Sequence, residues 1–223
     1  TDLTIESDAA RLMPPGTQLH VTRIIFENPT TPENLRRTGP RLRAAAELIV
    51  PGVQLEGLLF GCTSAAAVLG DEIDAMVGNR APLTTPVGAA MRAFRALDVT
   101  RISLLTPYMD ETTNLVADHF VGLGIDVVAR SSMGHEDDRD MGMLSGDTVI
   151  AAALEADHPE AEAIFLSCTA LPAVPVIERI EAHLGKPALS SNQVLFWAML
   201  DAAGIASEGP GRLFAPREFR AAL

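Results

Sequence analysis

The sequence predicts an α/β protein built as two pseudo-symmetric lobes, each a parallel four-stranded sheet flanked by helices, with a cleft between them. Three observations lead there. Short β-rich runs alternate with longer stretches of helical periodicity, the pattern of parallel strands joined by crossover helices. Leu58-Leu59-Phe60 and Ile164-Phe165-Leu166 are apolar throughout, as strands are when helices cover both faces of their sheet. The third observation is a repeat. Leu58-Leu59-Phe60-Gly61-Cys62-Thr63-Ser64 and Ile164-Phe165-Leu166-Ser167-Cys168-Thr169-Ala170 each run from a buried strand into a small–Cys–Thr–small unit, close to half the chain apart.

In chain order, strands are predicted at 19–26, 53–60, 82–85, 102–106, 126–129, 163–167 and 187–190. Leu35, Leu42, Ala45 and Ala46 sit at helical spacing, and this helix continues through Leu48 and Ile49 until Pro51-Gly52 stops it. Further helices are predicted over 68–76, 87–97, 112–123, 149–154, 174–184 and 194–203. After each Cys-Thr unit comes a helix, then a proline entry into a short strand, then another helix. The entries are Ala81-Pro82-Leu83-Thr84-Thr85 and Lys186-Pro187-Ala188-Leu189-Ser190. Lobe 1 is therefore assigned residues 1–97 plus 189–223, carrying Cys62, and lobe 2 residues 98–188, carrying Cys168. Gly134–Asp140 is the most polar stretch and reads as an exposed loop.

Composition narrows the function classes. The chain has 223 residues, 48% of them hydrophobic and 21% charged, with a formal net charge of −12. That suits one large domain or two lobes of roughly 100 residues. A chain this acidic is not expected to hold nucleic acid or an anionic membrane by bulk charge. No apolar run reaches the roughly 18 residues of a membrane span, and the start lacks a signal pattern. Two cysteines are too few for a disulfide scaffold, so a cytoplasmic protein is expected.

Those two cysteines are the candidate chemistry. A thiol at the carboxyl end of a parallel strand, just before a helix, lies where open α/β sheets bind ligands. Backbone N–H groups there lower a thiol pKa and cradle an anion. Thr63, Ser64 and Thr169 add hydroxyls at the same rims. One isolated cysteine would more simply be a small core residue; two in matching contexts outweigh that reading. Two thiols without clustered histidines supply too few ligands for zinc, so no metal is expected. His20, His119, His158 and His183 read as structural or exposed, His135 as a residue of the acidic loop that could line the cleft. Glu136-Asp137-Asp138 reads as solvated.

Gly61-Cys62-Thr63-Ser64, Ser167-Cys168-Thr169-Ala170-Leu171-Pro172 and Leu105-Thr106-Pro107-Tyr108 together resemble the aspartate/glutamate racemase superfamily. The nearer likeness is to the branch of maleate cis–trans isomerase and arylmalonate decarboxylase, and within it to the ectoine-utilisation A proteins. The resemblance implies a cofactor-independent enzyme acting beside a carboxylate of a small acid. Cys62 would add to an alkene carbon to give an adduct that can rotate, and Cys168 would handle the proton on the opposite face. In racemases the same pair works as two acid/bases. Thr63, Ser64, Tyr108 and Thr169 match positions that donate to a substrate carboxylate.

Cys62 argues against the decarboxylase, where that position is not a thiol, and Ala170-Leu171 departs from the histidine common in amino-acid racemases. Isomerisation is therefore favoured, with a decarboxylase or a non-catalytic carboxylate-binding protein as alternatives. The expected partner is a small carboxylate, with a homo-oligomer left open. Two departures from the family stand out. Its members open with a β-strand that this sequence, starting at Thr1-Asp2, is expected to lack; and Asp138 stands near where a maleate isomerase is expected to place an Asn, a charge that would repel a dicarboxylate and could instead favour a substrate with a cationic or amide end.

Overall fold

Helices and parallel strands alternate along residues 1–215, the part of the chain described in this computed structural model. The first half runs α1 (Ile5–Leu12), α2 (Pro32–Arg36), α3 (Leu42–Leu48), β1 (Leu58–Leu59), α4 (Thr63–Leu69), α5 (Ile73–Val77), β2 (Leu83–Thr84) and α6 (Pro86–Ala96). It continues through β3 (Arg101–Thr106), α7 (Asp110–Gly122), β4 (Asp126–Ser132), α8 (Asp138–Gly142), α9 (Gly146–Ala156) and β5 (Ala163–Leu166). Last come α10 (Ile177–Leu184), β6 (Ala188–Ser190) and α11 (Ser191–Ala202). Residues 216–223, assigned above to lobe 1, lie outside the described residues.

The predicted α/β class holds, and the parallel four-stranded sheet is present in the order β4-β3-β5-β6. All four residues of β5 are buried, as are Ile102 to Thr106 of β3, because helices cover both faces. Phe94 of α6, Phe120 of α7 and Phe165 of β5 meet edge to face with ring centroids 5.5–5.9 Å apart. That geometry adds about 1 kcal/mol per pair beyond area burial and ties α6 to the four-stranded sheet.

The other sheet has two strands where four were expected. β1 and β2 pair in parallel, Leu58 opposite Leu83 and Leu59 opposite Thr84. The predicted strand 19–26 has no regular secondary structure; it alternates between exposed and half-buried residues from Val21 onward and joins no ladder among the described residues. A strand needs a neighbour to satisfy its amides and carbonyls. A cavity of about 670 Å³ has both Leu19 to Ile24 and Leu58 to Gly61 among its lining residues. Ile25 is left 71% exposed. Of the predicted strand 53–60, only Leu58–Leu59 is laddered, since residues 50–53 form a turn closed by Val53 N–H on the Val50 carbonyl at 3.1 Å.

The repeated proline entries do build matching corners. Thr85 caps α6 by accepting from the N–H of Gly88 at 3.1 Å. Ser190 caps α11 in a reciprocal box with Gln193, at 3.3 and 3.2 Å, the arrangement that satisfies two helix-end donors at once. α11 packs against α6 and α1, which brings the buried start of α11 beneath both Cys-Thr units. Among the described residues no helix is long and apolar enough to cross a membrane.

Candidate active site

Cys62 leaves the β1 edge in an extended conformation and stands at the N-cap of α4. Its N–H donates to the Phe60 carbonyl at 3.0 Å, and its Sγ lies 3.6 Å from the hydroxyl of Ser64. Cys168 follows β5 but does not lead straight into a helix, contrary to the sequence expectation. Pro172 and Pro175 delay it, so that a 3₁₀ turn at Val174–Val176 and then α10 come only after the loop. Within that loop the N–H of Ala170 donates to Cys168 Sγ at 3.3 Å.

Both cysteines line the same cavity, together with Ser64, Tyr108, Asp138 and Thr169. Tyr108 sits just after β3, 2% exposed, its ring among core residues and its hydroxyl bearing on Cys168 and Ser64. Two hydroxyls predicted to face a substrate are committed elsewhere. Thr63 is fully buried behind the cavity, and its Oγ1 donates to Ser191 Oγ at 2.7 Å. Thr169 reaches the cavity wall, but its Oγ1 donates to the Gly61 carbonyl at 3.1 Å. The reason is topological: threonine next to a strand-end cysteine points back toward the neighbouring element, where a polar partner is waiting.

Several polar contacts of the site were not read from the sequence, which for Asn192 leaves open a cap of the last helix or a place facing the cleft. Asn192, 1% exposed at the start of α11, donates from Nδ2 to Asp8 Oδ2 and to the Thr169 carbonyl, both at 2.8 Å. Thr4 Oγ1 donates to the Ala170 carbonyl at 2.7 Å. Together they pin the Cys168 loop against α1. Thr30 holds Asp138 at 3.2 Å and Thr1 holds it at 2.6 Å; both threonines, and Asp2, line the cavity. His20 lines its far side, while His135 is not among the lining residues. The turn-forming run Asn28-Pro29-Thr30-Thr31-Pro32 was the available signal for Thr30. Nothing in the sequence marked Asp8 or Asn192 as partners.

Burial sets the protonation of the thiols. Desolvation, and next the negative charge of Asp138, push Cys62 up to about 11 and Cys168 well above the ordinary thiol value. The N–H of Ala65 and the hydroxyl of Ser64 pull Cys62 down, and the hydroxyl of Tyr108 pulls Cys168 down, without winning. Burial therefore favours the protonated thiols, against the expectation that their strand-end position would lower the pKa. Burial raises Tyr108 as well. Buried Asp8 is held up to about 6 by desolvation, partly offset by its hydrogen bond from Asn192.

Fold and site define a class: an α/β protein whose two strand-end cysteines share one desolvated cleft. Comparison narrows it. The family model described as arylmalonate decarboxylase matches residues 65–214, and the chain belongs to that family. The matched segment includes Cys168 and begins just after Cys62. The chain is 27% identical to a maleate isomerase of Nocardia farcinica over 96% of its own length and 91% of that protein. It is 30% identical to the arylmalonate decarboxylase of Bordetella bronchiseptica over 60% of its length and 58% of that enzyme. Among solved structures, a variant of the Nocardia farcinica maleate cis–trans isomerase with a covalently bound succinylcysteine intermediate superposes with a TM-score of 0.86. The two are 25% identical, and the match covers 96% of this chain and 94% of that one. A liganded arylmalonate decarboxylase variant superposes with a TM-score of 0.84 at 25% identity, over 93% of this chain and 92% of that one.

Proposed function

We propose that the protein is a cofactor-independent isomerase of the cis–trans isomerase or racemase type, acting next to a carboxylate of a small acid, with Cys62 and Cys168 as its catalytic pair. The observation that carries this reading is that both thiols line one cavity with Tyr108 and Ser64, Cys168 buried and Cys62 half-buried. In this reading the cavity forms the cleft between the lobes 1–97 plus 189–223 and 98–188. The likeness to maleate isomerases supports the isomerase over the other members of the branch.

Chemically, Cys62 first ionises and releases its proton to solvent. Its sulfur then forms a bond to an alkene carbon, and the π pair moves to the neighbouring carbon, where the adjacent carboxylate spreads the charge. The S–H of Cys168 protonates that carbon. Rotation about the new single bond follows; Cys168 takes the proton back, the C–S bond breaks and the alkene re-forms. Ser64 and Tyr108 hydroxyls stabilise the charge on the carboxylate, fixed donors in a dry cleft being worth more than in water. Thr63 and Thr169 serve this site by holding its walls rather than by touching substrate with their hydroxyls.

The test is Cys62→Ala and Cys168→Ala, each assayed for turnover of small unsaturated and α-chiral carboxylic acids. Each variant is expected to fold and to lose all turnover; activity surviving in either removes the two-thiol mechanism. A second reading has one observation in its favour: the family match takes in Cys168 and not Cys62. A decarboxylase would need Cys168 alone as proton donor. Carbon dioxide released from a disubstituted malonate, and retained in Cys62→Ala, would establish it.

A further inference from the structure

The charge around the thiols restricts what can enter. Among the described residues, the cavity is lined by the carboxylates of Asp2, Glu6, Glu56 and Asp138 and by the guanidinium of Arg23. Arg23 is engaged, since its fork bonds Glu6 and donates to the Asp2 carbonyl at 2.7 Å. Asp138 is the carboxylate that bears most on both sulfurs. Burial raises its pKa, and the Thr1 and Thr30 hydroxyls that hold it in place offset part of that. Asp2 spends Oδ1 on the N–H groups of Thr4 and Ile5, at 2.7 and 3.0 Å, while its Oδ2 is buried without a partner. One end of the cleft thus offers carboxylate oxygens that accept hydrogen bonds.

Accordingly, we propose that the substrate carries one carboxylate beside the reacting carbons and, at its other end, a group that donates hydrogen bonds, an ammonium or a primary amide, which Asp138 receives. This rests on the proposed function and names its substrate class. A dicarboxylate would set a second anion against Asp138, and juxtaposed like charges disfavour binding. A donor-ended acid instead adds a donor to Asp138, whose oxygens each accept one threonine hydroxyl, and brings one toward Asp2 Oδ2, which has no partner among the described residues.

Calorimetric titration of the whole protein with maleate, maleamate and cis-4-aminobut-2-enoate tests it, run beside protection of each cysteine from iodoacetamide. A donor-ended acid is expected to bind at least about tenfold more tightly than maleate, and Asp138→Asn to reverse that order. Maleate binding as well as either donor-ended acid overturns the proposal, as does an order that Asp138→Asn leaves unchanged, or no binding of either donor-ended acid at millimolar concentration. Circular dichroism of Asp138→Asn confirms that the variant is folded, and Asp138→Ser repeats the comparison if it is not. If the donor-ended acid binds with the expected preference while neither thiol is protected, the inference stands and the two-thiol reading falls.

Discussion

The hydroxyl of Thr169 donates to the carbonyl of Gly61 at 3.1 Å, so the second Cys-Thr unit is bonded directly to the residue that precedes the first cysteine. The two halves of the repeat fix each other's position at the cleft. Thr169→Val keeps the shape and removes the donor, leaving the Gly61 carbonyl short of a partner. The expected cost is about 1 kcal/mol of unfolding free energy, read by urea titration, together with a fall in turnover larger than the stability loss explains. Thr169→Ser should restore both. A Val variant as active and as stable as the parent would show that the bond positions nothing.

Burial makes the second prediction. With Cys62 held near 11, the native protein at pH 8 should react with iodoacetamide on the order of 100-fold more slowly at this position than the same chain in urea, because only the thiolate attacks. The rate should keep climbing through pH 10. The sign for stability follows: the raised folded pKa contributes stability below the ordinary thiol value, lost as pH rises through about 11. Rapid alkylation at pH 7 with an apparent pKa below about 8 would mean that the helix end and the hydroxyls outweigh desolvation.

What could be read from the sequence divides along physical lines. β3 and β5 were legible because two-sided burial writes an apolar run, and the caps Thr85 and Ser190 follow proline entries that punctuate the chain. The segment 19–26 misled because β-branched composition records a preference for extended backbone, whereas a ladder also needs a neighbour, and none pairs with it among the described residues. The cysteines were found because the repeat made each vouch for the other. Asp8 and Asn192, 2.8 Å apart though far apart in the chain, leave no local trace; a buried pair of that kind appears only when helices pack. α1 went unpredicted because it is short and Asp8 interrupts the apolar stripe of Ile5, Ala9 and Leu12.

Tyr108 gives a third prediction. Its hydroxyl pulls the pKa of Cys168 down, against a larger opposing desolvation. Tyr108→Phe fits the same buried slot, so unfolding free energy should change by no more than about 1.5 kcal/mol. The Cys168 pKa should move still higher, seen as slower alkylation of that cysteine at pH 10 by peptide mass, with Cys62 less affected. Turnover should fall on the order of 10- to 100-fold. An unchanged Cys168 rate would detach the hydroxyl from the thiol.

Asp8 yields the last prediction, because its environment opposes its charge. It is 2% exposed in α1, and desolvation holds its carboxyl near 6 although Asn192 Nδ2 donates to it. The folded state therefore keeps a proton on Asp8 at pH values where the unfolded chain has released it. The stability this contributes is fully present below the unfolded value near 3.8 and is lost as pH rises through about 6. At neutral pH the buried charge costs on the order of 2–3 kcal/mol. Asp8→Asn retains an oxygen to accept from Asn192 and carries no charge, so it should be more stable than the parent at pH 7.5 by that order. Its advantage should shrink toward zero near pH 4. Urea titrations of both proteins across this range measure the difference directly, and other carboxylates cancel in the comparison. A variant that is destabilised at pH 7.5, or a difference that does not depend on pH, would mean that the Asn192 bond outweighs desolvation and that the anion is the form this packing was built around.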